Sequence, residues 1–125
     1  MIEAVTAARD AIADALEMVD ELSGRIHVGA FPQVHPPAAV VGPGSFQWEA
    51  YDTDPTAAAI SVVIVARADA EAIDTLYRLV PLAADAIHEN VVTAVVRTAS
   101  PLSFLAGGQD LPAYELRVEV ALSYD

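Results

Sequence analysis

Ten residues in the middle of the chain, AAAISVVIVA from Ala57 to Ala66, limit its folding more than any other stretch. They carry no charge, and half of them are β-branched. The run is half the length of about 20 residues that a membrane-crossing helix needs. Its β-branched content and length suit a strand. A strand apolar on both faces belongs in the middle of a sheet, with other elements covering it. The rest of the chain must therefore supply neighbouring strands and a cover.

The flanking periodicities supply both. Residues 2–22 read as a helix, with Val5, Ile12, Leu16 and Val19 at helical spacing and Ala8, Ala15 and Leu22 extending the stripe. Ser23-Gly24 is expected to end it, since glycine tolerates a left-handed stop. The acids near its C-terminal end oppose the helix dipole, so packing must hold it. Residues 25–30 alternate briefly as a strand. Residues 31–44, FPQVHPPAAVVGPG, place four prolines and two glycines around AAVV. Proline donates no backbone hydrogen bond, so this segment is expected at a sheet edge, with AAVV as a brief strand inside it. SFQWEAY, 45–51, alternates as a half-buried strand, and DTDPT, 52–56, is turn chemistry.

After the central run, Asp69 is the expected N-cap of a second helix. Ile73, Leu76, Tyr77, Val80, Ala84 and Ile87 make its expected buried stripe, and Pro81 should kink or split it. Residues 91–98 and 112–124 read as the last two strands, joined by a loop, SPLSFLAGGQDL. In the final strand Tyr114, Leu116, Val118, Val120, Leu122 and Tyr124 face one way, and Glu115, Arg117, Glu119, Ala121 and Ser123 the other. The order is helix, strands, helix, two strands. It predicts an α+β fold: a mostly antiparallel sheet with two amphipathic helices packed on one face. The 125 residues suit one domain, 1–125, without internal repeat.

Charge and missing residue types narrow the chemistry. Eighteen acids face six bases, all arginine, for a net charge of −12. That balance opposes ordinary nucleic-acid binding and an anionic membrane surface. There is no cysteine, which removes disulfides and thiolate metal sites, and no lysine, which removes Schiff-base chemistry. The absence of lysine beside abundant Ala, Val, Pro and Gly is the mark of a GC-rich coding genome. The N-terminus has interspersed acids and no basic start, unlike a signal peptide.

No catalytic or metal constellation emerges, and no cofactor is expected. His27, His35 and His88 find no partner at ligand spacing and read as surface or capping residues. GPGS, 42–45, is not followed by a helix, so it makes no phosphate cradle. Glu49, Asp52 and Asp54 form the densest acidic group, at a hairpin tip. Apolar residues in loops are more informative. Phe31, Pro32, Val34, Pro36 and Pro37 lie in one, Phe104 and Leu105 in another. Two readings stay open: they fold back as a small core, or they meet a partner. In the second, the prolines pre-set the loop shape and reduce the entropy lost on docking.

MIEAVTAARDAIADAL, HPPAAVVGPGSFQWEA, ISVVIVARAD running into AEAIDTLYRLVPLAADAI, and YELRVEVALSY resemble, in this order, the tail terminator proteins of long-tailed siphophages. The likeness is nearest to those of phages infecting actinobacteria and spans nearly the whole chain. The resemblance implies a non-enzymatic virion subunit, assembled in the host cytoplasm, that forms a homohexameric ring at the head-proximal end of the tail tube. Such a ring stops tube polymerisation and joins the tail to the neck. Its expected partners are copies of itself, the major tail tube protein and a head–tail connector protein. DNA passes through without specific binding. In that setting Phe31, Pro32, Val34, Pro36, Pro37, Phe104 and Leu105 are expected contact residues. Glu49, Asp52, Asp54, Glu115 and Glu119 are expected to line an acidic bore that repels phosphates; acids that merely keep the subunit soluble are the other reading. A head-closure or tail-completion protein, or a cellular α+β ligand-binding domain, are the alternatives.

Overall fold

The computed structural model describes residues 2–29, 34–49, 54–106 and 108–122. Along the chain run α1 (Ile2–Leu16), β1 (Ile26–Val28), β2 (Ala38–Gln47), β3 (Ala57–Val65), α2 (Ala72–Asn90), β4 (Ala94–Ala106) and β5 (Gln109–Ala121). The strands form one sheet in the order β1-β2-β3-β5-β4. The apolar run is its middle strand, as the sequence requires. It pairs antiparallel with β2 on one side and β5 on the other. This is the α+β architecture expected, with both helices on one face. α1 lies towards β1 and β2, and α2 lies over β3, β5 and β4.

Strand alternation builds the core. Ala39, Val41, Ile60, Val62, Ile64, Leu116, Val118 and Val120 point to the helices and meet Ile12, Leu16, Leu76, Leu79 and Ile87. No polar side chain is buried among the described residues. The opposite face carries a smaller cluster of Val40, Val65, Leu111 and Ala113.

The sheet is mostly antiparallel, and β1 is the exception, parallel to β2 with Ile26 opposite Ala39 and Val28 opposite Val41. Several expectations need correction. α1 stops at Leu16 rather than near residue 22. Met18 and Val19 bond back three residues instead of four, so the chain tightens into turns where Glu17, Asp20 and Glu21 oppose the dipole. Gly24 does take a positive φ, +76°, and its N–H donates to the Glu17 carboxylate at 2.8 Å. Val19 and Leu22 remain buried although they lie past the helix. Asp69 is not the N-cap of α2: its carboxylate accepts the Glu71 N–H at 2.9 Å, and Glu71 stands at the cap without a side-chain bond. Pro81 does not split α2. It is exposed, so water can satisfy the Tyr77 carbonyl that loses its donor.

The two brief strands expected around the glycines and Pro43 are one strand, β2. Between Val41 and Gly44 it carries one extra residue opposite β3. This is a β-bulge. β1 reaches only as far as Val41, so Pro43 stands where β2 has become an edge and needs no donor there. A Cβ built on Gly44 would come within 3.2 Å of the Ala59 carbonyl oxygen and 3.3 Å of Ile60 Cγ1. Gly44→Val is therefore expected to lower stability by about 1–3 kcal/mol, because its neighbours are a ladder backbone and a core side chain. Gly42→Ala, whose nearest atom is 3.5 Å away, should change it by less than about 1 kcal/mol. Urea midpoints of the two variants check this; equal midpoints would refute the steric argument.

The expected loop at 100–111 is mostly strand. β4 and β5 pair continuously from Ala94–Val120 to Ala106–Gln109, interrupted by a bulge at Arg97. Turn-like composition misled here because Pro101 sits on an edge strand, and Pro112 lies one residue past the pairing of β5 with β3.

Candidate functional site

Two features dominate the surface: the sheet face away from the helices, and the β4–β5 hairpin that outruns β3. On that face Ser45, Ser61, Glu115, Arg117 and Glu119 share a side by strand register. The Ser61 hydroxyl donates to the Glu115 carboxylate at 2.9 Å. Glu119 pairs with Arg97 at 3.4 Å. A shallow depression of about 280 Å³ opens beside the β2 bulge, between Ser45, Ser61, Glu115 and Arg117. Glu115 and Glu119 thus share this face with Arg117, and Arg97 pairs with Glu119. Glu49 and Asp54 are exposed at the ends of β2 and β3, and Asp52 lies outside the described residues.

The contact residues divide in two. Val34 and Phe104 pack with Val63 and Leu102 onto the smaller cluster, so this part of the proline segment and one face of the hairpin fold back on the sheet. The Pro36 carbonyl oxygen accepts bonds from Arg25 Nη1 at 3.2 Å and Arg67 Nε at 3.1 Å. Two guanidinium groups from opposite sides of the sheet's end thereby fix the Pro36–Pro37 step. Phe31 and Pro32 lie outside the described residues. Leu105, on the other face of the hairpin, stays 68% exposed.

On α2 the structure shows what periodicity missed. Ile73 and Tyr77, expected in the buried stripe of α2, are 51% and 62% exposed. The buried line is instead Ala72, Leu76, Leu79, Ala83, Ala86 and Ile87. Its alanines let the helix approach the sheet closely, which turns the bulkier Ile73 and Tyr77 to the flank. The sequence signal was an apolar arc wider than one interface can cover. Tyr77 meets Tyr114 edge to face, ring centroids 6.2 Å apart. The Tyr114 hydroxyl donates a hydrogen bond to Tyr77, which with some desolvation holds the Tyr114 phenol above its usual range. Ile73 and Tyr77, one turn apart on α2, thus flank Tyr114 of β5, and Leu105 lies four residues further along β4 from Pro101, the partner of Tyr114.

His88 accepts the Val96 N–H on Nε2 at 2.9 Å, which ties the end of α2 to the bulge in β4. Among the described residues no group of three or more His, Cys, Asp or Glu could hold a metal ion. No helix among them is long and apolar enough to cross a membrane. No protein-family model and no curated protein matches this chain.

Proposed function

We propose that the chain is a ring-forming structural subunit of a phage tail, a tail terminator that caps the tube and joins it to the neck. The observation that supports this reading most is the contrast between the two edges of the sheet. β1 is three residues long and is followed by a bulge and Pro43, so that edge is blunted. β4 is thirteen residues long, and its outer edge pairs with no strand among the described residues. Its hairpin outruns β3 by four residues, about 13 Å of ribbon. Exposed Leu105 lies there, with Ile73 and Tyr77 on the neighbouring helix.

Long open edges with apolar flanks are hazards for a solitary chain and useful to one that assembles. Closed rings require two unlike surfaces that fit each other around a rotation axis. In this reading the hairpin and the Ile73–Tyr77 flank form one of them. The opposite side of the subunit supplies the other. The acids keep the subunit soluble before assembly and repel DNA phosphates inside the tail.

Native mass measurement together with electron microscopy of tail tubes tests this. The expected result is a species of six times the 13.1 kDa chain, found at one end of isolated tubes and arresting their growth. A protein that stays monomeric with and without tubes overturns the proposal. Binding to portal complexes but not to tubes would instead favour a head-closure role.

A further inference from the structure

We propose that the groove between the end of α1 and the C-terminal half of α2 binds a cationic amphipathic segment of a second, different protein. The inference is independent of the ring reading. The groove encloses about 440 Å³. Met18 and Leu82 lie in it and are 65% and 46% exposed. Asp20 and Glu21 form one wall, and Asp85 and Glu89, one turn apart on α2, form the other.

This placement works against the free protein. α1 ends at Leu16, just before the groove, and α2 ends at Asn90, within it. Helix carboxyl ends carry partial negative charge, and acids there are destabilising. Glu21 is relieved by an ion pair with Arg78. Asp20, Asp85 and Glu89 have no ion pair among the described residues. Three uncompensated carboxylates therefore surround two exposed apolar side chains, at the negative ends of two helices. A ligand that relieves both faults carries positive charges flanking apolar groups, as a basic amphipathic helix does.

Other occupants match less well. Nucleic acid and anionic lipid have the wrong sign. A metal ion would leave Met18 and Leu82 uncovered. A second copy of this chain brings few cations. Arg9, Arg78 and Arg97 pair with Asp10, Glu21 and Glu119, which leaves Arg117 and the two arginines held on the Pro36 carbonyl, Arg25 and Arg67, in a chain of net charge −12. The charge must therefore come from a different protein.

The test uses the full chain and a synthetic helix-forming peptide with leucines at i, i+3, i+4 and i+7 flanked by lysines. Calorimetry gives the affinity, and NMR shift mapping gives the place. The expected result is binding that maps to Met18, Leu82, Asp85 and Glu89 and weakens as salt rises. Asp85→Asn with Glu89→Gln should weaken it about tenfold or more, and so should Met18→Ser with Leu82→Ser, which leaves the charge unchanged. All four side chains are exposed, so Met18→Ser with Leu82→Ser should keep the wild-type unfolding temperature and Asp85→Asn with Glu89→Gln should hold or raise it, both measured alongside. A scrambled peptide of equal composition binding equally well would reduce the effect to net charge and overturn the proposal. So would an unaltered affinity in the Met18→Ser, Leu82→Ser variant, or shifts mapping elsewhere. Self-association of the chain that this variant abolishes would assign the groove to a second copy and overturn it too.

Discussion

Leu116→Ala will lower the free energy of unfolding by about 3 kcal/mol, with a range of about 2–5 for such truncations. Leu116 has no exposed surface. It sits on β5 opposite Val62 of β3 and Ala99 of β4, on the side that the helices cover. Ladders hold its backbone on both sides and the helices cap it, so the cavity left by three missing carbons has few ways to collapse. Domains of this size unfold with about 5–15 kcal/mol, so the loss removes a large share of the total. Urea denaturation should show a lower midpoint with an unchanged slope. A loss below about 1 kcal/mol would mean that the helix layer can slump onto the sheet, contrary to close packing around β5. Leu82→Ala, on the exposed side of α2, serves as the comparison and should change stability by less than about 1 kcal/mol.

The parts of the fold governed by strict alternation were legible in the sequence. Leu116, Val118 and Val120 face the helices, and Glu115 and Arg117 face away, as a period of two dictates. The Ala57–Val65 run could be placed at the centre because nothing polar interrupts it except Ser61, which finds Glu115 across the ladder. Failures arose where local chemistry depends on partners distant in sequence. Pro43 and Pro101 look like strand breakers, yet each occupies an edge that only the completed sheet defines. Ile73 and Tyr77 look buried on a helical wheel. A stripe of alanines elsewhere on α2 decides which face can approach the sheet, and periodicity weighs size poorly.

The candidate sites follow the same division. Leu105 could be selected as an apolar loop residue, and it is exposed. Phe104, its neighbour, takes the opposite side of a strand and packs inward, which only recognition of β4 as a strand reveals. Glu115 and Glu119 were readable as acids on one face. The pairing of Glu119 with Arg97 was not, since Arg97 enters that face through a bulge in the register. The acidic groove was invisible because Met18 and Leu82 lie 64 positions apart in sequence and meet only when α1 and α2 dock.

On the ring reading, the Leu105→Asp, Tyr77→Asp double variant will sediment as a single chain where the wild type is expected as a ring. Both side chains are mostly exposed in the subunit, so the substitutions leave its core intact, and its unfolding temperature should move by only a few degrees. Their effect falls on the contact that the ring reading assigns to the hairpin and the α2 flank. Placing a carboxylate in a dry contact without a cation is strongly unfavourable. The chain already carries −12, so a new acid adds to the repulsion between copies. Each subunit repeats the same contact, and weakening all of them at once makes closure fail as a whole. Tubes mixed with the variant should therefore continue to lengthen. Asp10→Asn, on the exposed side of α1, should leave ring mass and tube length unchanged. A double variant that still forms rings of wild-type mass would place the subunit contact on another surface, whereas a monomeric wild type would remove the ring itself.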